Sequence, residues 1–260
     1  MKIAAVQMDM KLDRPQENFA HAEALLRRAA AERPDVILLP ETWNTGFRPH
    51  ADLASLCDGD GAETKHRIGA LAREYGVNIV AGSVSTLRDG QIYNTAYIFD
   101  RTGACIAQYD KTHLFTFGSE DKFYTPGDSL CTFMLDGVKC GLVICYDIRF
   151  PELIRTLALR DIAVLFVPAQ WPAVRRYPWE TLLAARAIEN QLFVAACNSC
   201  ATDTQCGGSS RILDPLGTVL AAADDREAVI SADVDPAMAA QCRTQLTVFR
   251  DRRPELYRLD

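Results

Sequence analysis

The segment DVILLPE, beginning at Asp35, is apolar at consecutive positions instead of alternate ones. A strand of that kind is covered on both faces, which requires a layered α/β structure. Its surroundings agree. Phe19, Ala22, Leu25, Leu26 and Ala29 recur at helical spacing before it, and Pro34 ends that helix. Asp13-Arg-Pro-Gln16 predicts the helix start, with Asp13 as N-cap and Gln16 at the third position. A second helix is predicted over residues 63–75, leading into a strand GVNIVAGSV, and MKIAAVQM reads as the first strand.

The middle of the chain changes character. NTAYIFD and ACIAQYD flank Arg101-Thr-Gly103, and LCTFML and VKCGLVIC flank Asp136-Gly137, both hairpin signals. Past Cys145 the pattern returns to helix (PELIRTLALRD), strand (IAVLFVPA), helix (WETLLAARAIENQ) and strand (LFVAAC). SSRILD and GTVLAAA then flank the turn from Asp214 to Gly217, and AVISADVD follows. Helices alternating with strands in both halves, with hairpins between, predict mixed sheets covered by helices. No linker, charge block or repeat divides the chain, so residues 1–260 are expected to form one domain. The weakly patterned, charged tail from about residue 236 is expected to be solvated or to pack on a partner subunit.

A chain of 260 residues buries enough core to need no disulfide or structural metal. Its formal charge of −6, with no basic run, excludes a nucleic-acid partner. MKIAAVQMDM lacks the long apolar stretch of a signal peptide, and no segment reaches membrane-spanning length. Nine cysteines without an export signal read as reduced thiols in a cytoplasmic protein.

Three reactive side chains fall where predicted strands end: Glu41 after DVILLP, Lys111 after AQYD and Cys145 after GLVI. A free thiol has a pKa of about 8.5 and needs a proton acceptor. A neighbouring carboxylate supplies one, and its charge in turn raises the thiol pKa. A lysine offsets that effect and can stabilise the oxygen of a tetrahedral intermediate. The turn after Cys145 adds unpaired helix-start N–H groups, that of Tyr146 first among them.

These segments resemble the nitrilase (carbon–nitrogen hydrolase) superfamily over nearly the whole chain. LLPETWNTGF is similar to its Glu motif, YDKTHLF to its Lys motif and GLVICYDIRFPE to its Cys motif, in the family's order. The resemblance implies a four-layer αββα sandwich, a homodimer, and chemistry without metal or cofactor. It makes Glu41 the base, Lys111 the cation and Cys145 the nucleophile. FGSEDKFYTPGD resembles the segment of a second glutamate, which places Glu120 beside Lys111.

His113 is an alternative base, since a strand would place it on the face of Lys111. The other role for it is a hydrogen-bonded histidine in the pocket wall. Cys197-Asn-Ser-Cys200, with Cys206 nearby, offers a metal or redox site but lacks a second ligand pair. A non-catalytic binding protein is the remaining alternative. Within the superfamily, CYDIRFPE and PAQWPAVRRYPWETLLAARAIENQ look most like the ω-amidase branch. That implies small ω-amides of 2-oxo dicarboxylic acids, of the 2-oxoglutaramate or 2-oxosuccinamate type. N-carbamoyl compounds, deaminated glutathione and nitriles are the alternatives. Such an ω-amide carries a carboxylate that an arginine can hold bidentately. Arg175 falls at the resembling position, Arg176 and Arg149 are further candidates, and Trp171 is placed to cover a small substrate. Pro178 departs from the branch, where a His commonly precedes the Trp.

Overall fold

Strand β1 (Lys2–Gln7) shows why the apolar runs do not alternate. Ile3 and Ala5 belong to one core and Ala4 and Val6 to another, so both faces of the strand are covered. Strand β2 (Val36–Leu38) repeats the division, with Val36 and Leu38 in the first core and Ile37 in the second. This computed structural model describes residues 1–47, 49–200 and 205–257.

Helices α1 (Pro15–Ala30) and α2 (Ala62–Tyr75) close the second core with Phe19, Leu25, Leu26, Ile68 and Leu71. Helix α1 is not capped by Asp13. Its N-cap is Arg14, with no side-chain bond, and Pro15 at the first turn presets the helical φ. Asp13 itself has φ +58° and lies outside the helix, its Oδ1 3.0 Å from His50 Nε2.

The first sheet continues with β3 (Asp58–Gly59), β4 (Asn78–Val80), β5 (Val84–Arg88), β6 (Gln91–Phe99) and β7 (Cys105–Asp110). Strands β1, β2 and β4 run parallel, and β6 lies antiparallel to β4, β5 and β7. GVNIVAGSV, expected as one strand, is therefore two, β4 and β5. The interruption has a steric cause. Gly82 has φ +59°, and a Cβ there would meet the Pro40 carbonyl oxygen at 1.9 Å. The Ser83 N–H donates to that same oxygen at 3.0 Å. The break thus receives the end of the β2 segment, immediately before Glu41.

The second sheet holds β8 (Cys131–Leu135), β9 (Val138–Leu142), β10 (Val164–Ala169), β11 (Phe193–Asn198), β12 (Arg211–Leu213) and β13 (Val219–Ala222). Strands β9, β10 and β11 are parallel, with antiparallel neighbours at both edges. Strand β14 (Ala228–Asp233) returns to pair antiparallel with β1. The sheets pack face to face, β1 against β11 and β7 against β8. Helices α3 (Pro151–Ala158) and α4 (Arg176–Asn190) cover the second sheet with Leu153, Ile154, Leu157, Trp179 and Leu183. The layers are αββα, as the resemblance implied.

The tail differs from expectation. Helix α5 (Ala237–Gln245) docks on its own chain: Gln191 Nε2 donates to the Cys242 and Leu246 carbonyls at 3.0 and 2.9 Å. Arg243 donates to the Ile162 carbonyl at 2.7 Å, and Met238 and Phe249 pack on the first core. Apolar contact and these paired carbonyls outweigh the charged composition of the segment. Among the described residues no helix is long and apolar enough to cross a membrane.

Candidate active site

Glu41 follows the end of β2 and is fully buried. Its backbone N–H donates to the Ala169 carbonyl at the end of β10 (3.4 Å), and the Gln170 N–H returns a bond to Glu41 Oε2 at 2.8 Å. The carboxylate of one sheet is thereby tied to the strand ends of the other. Lys111 lies one residue past β7, its N–H bonded to the Asn94 carbonyl of β6 at 2.9 Å. Its Nζ donates to Glu41 Oε1 at 2.8 Å and to Glu120 Oε2 and Oε1 at 2.9 and 3.1 Å. Glu120 opens a short 3-10 turn (Glu120–Lys122), and its Oε2 accepts the Phe115 N–H at 2.6 Å. All three side chains are 0% exposed.

Cys145 completes the set from the second sheet. Strand β9 ends at Leu142, and Cys145 opens a 3-10 turn (Cys145–Arg149); α3 starts only at Pro151. The expected strand-to-α-helix junction is thus a tighter one, because Cys145 takes φ +47°, a costly conformation for a residue with a Cβ. Asp147 holds the turn. Its Oδ2 accepts the Ile144 N–H at 2.9 Å and the Tyr109 hydroxyl at 2.8 Å, while Oδ1 accepts the His113 N–H at 2.9 Å. The Tyr146 N–H falls in the first turn, where a helix supplies no acceptor of its own. Left-handed backbone also occurs at Thr42 (φ +38°) and Ser119 (φ +58°), beside Glu41 and Glu120. Three of the chain's left-handed non-glycine residues thus fall at or beside the candidate site.

The electrostatics follow from burial. For Lys111, burial opposes the charge, but Glu120, Glu41 and Cys145 outweigh it and hold the ammonium well above its ordinary pKa. Burial, the largest influence on Glu120, pushes its carboxyl up, and Lys111 pulls it partly back. Burial and then the charge of Glu41 raise the Cys145 thiol well above its ordinary value, with Lys111 only partly opposing. The offset expected from lysine is therefore incomplete. Both influences favour the protonated thiol, and Glu41 lies close enough to act on it.

Glu41, Lys111 and Cys145 line one cavity of about 510 Å³ counted out to its mouth, while Glu120 sits behind Lys111. Tyr146, Trp171, Arg149 and Arg175 line the same cavity, as do Phe47, Phe115 and Gln170. The Arg149 guanidinium lies 4.8 Å from the Trp171 ring centroid, and that of Arg175 4.9 Å from Phe117. Trp171 Nε1 donates to the Arg175 carbonyl at 2.7 Å, which joins the two in one wall. Neither arginine is in an ion pair among the described residues.

Two candidates fall elsewhere. Arg176 donates to the Gly207 carbonyl at 2.7 Å and does not line the cavity. His113 does not line it either, contrary to its expected place among the substrate-binding residues. Strand β7 ends at Asp110, so the shared face with Lys111 is lost. Its Nδ1 lies 2.8 Å from Asp147 Oδ1 and its ring stacks on Phe150. Cys197 and Cys200 are buried, and burial raises both thiols, that of Cys200 to about 12, opposite to what a redox thiolate needs. Among the described residues no cluster of three or more His, Cys, Asp or Glu could hold a metal.

Three contributors escape sequence reasoning. Asn94 Nδ2 donates to both Glu41 Oε1 (2.9 Å) and Glu120 Oε1 (3.1 Å). Gln170 Nε2 donates to the Glu41 carbonyl (2.8 Å) and Thr42 Oγ1 (2.7 Å). Asp147 is the third. An asparagine inside the strand pattern NTAYIFD, where that residue type is depleted, is the signal that could have found the first.

The carbon–nitrogen hydrolase family model matches residues 2–244. The 2-oxoglutaramate amidase of Bacillus subtilis is 42% identical over 257 residues, covering 98% of each chain. The human omega-amidase NIT2 is 32% identical over 273 residues, covering 100% of this chain and 97% of its own. A carbon–nitrogen hydrolase superfamily protein of Xanthomonas campestris, solved with an arsenic adduct in its active site, superposes with a TM-score of 0.90 at 29% identity, covering 100% of this chain and 99% of that one.

Proposed function

Because the chain belongs to the carbon–nitrogen hydrolase family, we propose that it is a cysteine-dependent ω-amidase that releases ammonia from short 2-oxo dicarboxylic acid monoamides of the 2-oxoglutaramate type. The observation that carries this is the cavity itself. A thiol, a carboxylate and an ammonium line it together with two guanidiniums, of Arg149 and Arg175, that pair with no carboxylate among the described residues. The first three can cleave an amide, and an arginine can hold the acid group at the other end of the substrate.

In this reading Cys145 Sγ attacks the amide carbon as its proton passes to Glu41. Lys111 Nζ and the Tyr146 N–H bind the oxyanion of the tetrahedral intermediate. Glu41 returns the proton to the nitrogen, the C–N bond breaks, ammonia leaves and a thioester remains. Water then attacks the thioester, giving its proton to Glu41, and the carboxylic acid departs as the thiol is restored. Glu120 keeps Lys111 aimed and charged throughout. Arg175 and Arg149 hold the substrate carboxylate, and Trp171 covers the bound molecule. The same reading takes the protein to be a cytoplasmic homodimer of single-domain chains.

Cys145→Ala should abolish ammonia release from 2-oxoglutaramate and 2-oxosuccinamate while leaving the circular dichroism spectrum unchanged. Retained turnover would refute the thioester route. Higher kcat/KM on N-carbamoyl compounds, deaminated glutathione or nitriles in the same panel would replace the substrate class.

A further inference from the structure

Asn94 is fully buried in β6 and does not line the cavity. Its two amide hydrogens serve two different carboxylates, Glu41 Oε1 at 2.9 Å and Glu120 Oε1 at 3.1 Å. The same two oxygens accept from Lys111 Nζ, at 2.8 and 3.1 Å. The pair is thus bracketed by one charged and one neutral donor. Asn94 Oδ1, in contrast, is buried with no hydrogen-bond partner among the described residues. Such an orphan acceptor costs about 1–3 kcal/mol, and a chain retains it where the other end of the group is needed. The other titratable groups around the carboxylates are Cys145 beside Glu41 and Tyr124, which is near both glutamates and Cys57.

We propose that Asn94 is a positioning residue that clamps Glu41 and Glu120 together on Lys111 by donating one hydrogen to each, so that Glu41 is held in place as the base. Two like charges held this close need donors on the oxygens that face each other. Lysine alone supplies charge from one side. A neutral amide supplies a second pair of hydrogens without adding a second cation to the cluster. The inference rests on the reading that Glu41 accepts the Cys145 thiol proton.

The experiment compares Asn94→Ala, Asn94→Asp and Asn94→Ser with wild type across pH 5–9. Two readouts are used: kcat and KM on 2-oxoglutaramate, and the rate of Cys145 alkylation by 2-chloroacetamide, followed at that residue by mass spectrometry. Removing a donor disfavours the ionised pair. The acid limb of both profiles should therefore move up by about one pH unit in Asn94→Ala, about a tenfold loss on the acid side, with KM unchanged. Asn94→Asp is isosteric but adds a third carboxyl, so its limb should move further. Asn94→Ser keeps one neutral donor and should move least. A packing role alone gives a different order, with Asn94→Ala worst and Asn94→Asp least affected, because alanine leaves a cavity and aspartate does not. That order, or a uniform loss at every pH, overturns the proposal. If Asn94→Ala does not fold, the ranking of Asp against Ser decides. Absence of ammonia release by the wild type would refute the ω-amidase reading alone, since the alkylation profile tests the clamp without substrate.

Discussion

At the scale of single residues, the site is a charge balance closed inside protein, with one ammonium between two carboxylates and a thiol. Breaking a buried ion pair by removing one partner costs about 3–5 kcal/mol, because it strands the other charge. Lys111→Met strands two, so its loss should reach at least that range in urea unfolding at pH 8. Burial already pushes the Glu120 carboxyl upward, and without the ammonium the strongest opposing influence is gone, leaving the Phe115 N–H to pull against it. A carboxyl whose pKa is raised in the folded state gains protons on folding. Its contribution is present below the unfolded pKa and lost as pH rises through the folded one. The variant should therefore recover stability between pH 8 and pH 5; a pH-independent deficit would show that the buried cluster is not the cause. Glu41, Lys111 and Cys145 were legible in the sequence because each sits in a chemically explicit stretch at a strand end. Asn94 and Gln170 were not, because their roles depend on which strands lie side by side.

At the scale of elements, one interruption matters more than any strand length. Gly82 separates β4 from β5, and the Ser83 Oγ just after it accepts the Thr42 N–H at 2.9 Å while the Ser83 carbonyl accepts the Trp43 N–H at 3.1 Å. The Glu41 loop is moulded on this break. Gly82→Ala would combine a left-handed alanine with a Cβ at 1.9 Å from the Pro40 oxygen. It should destabilise the fold by about 3 kcal/mol or more and lower kcat disproportionately. An unchanged urea midpoint would mean that the backbone relaxes at no cost. The sequence placed both hairpins correctly, since Asp136-Gly137 and Gly103 carry their own turn chemistry. It read through the break at Gly82, because a lone glycine in an apolar run looks the same whether the strand continues or stops. Likewise Asp13 resembles a cap until the left-handed turn that removes it from the helix is visible.

At the scale of the whole molecule, the layered architecture was legible from covered strands and their intervening helices, because burial on both faces leaves a mark on every position of a strand. The docking of α5 left no such mark. Its anchors are carbonyl groups met by Gln191 and Arg243, and main-chain acceptors carry no sequence signature. The tie between Glu41 and Gln170 has a consequence of its own. Glu41 and Lys111 are carried by one sheet, Cys145 and Gln170 by the other, so under the proposed mechanism the reaction works only while the two are in step. Turnover is then a vernier on the sandwich, sensitive to a sliding of its halves too small to change either sheet. Sub-denaturing urea should cost ammonia release before it costs far-UV circular dichroism. Coincident loss of the two signals would mean that the halves never slip without melting.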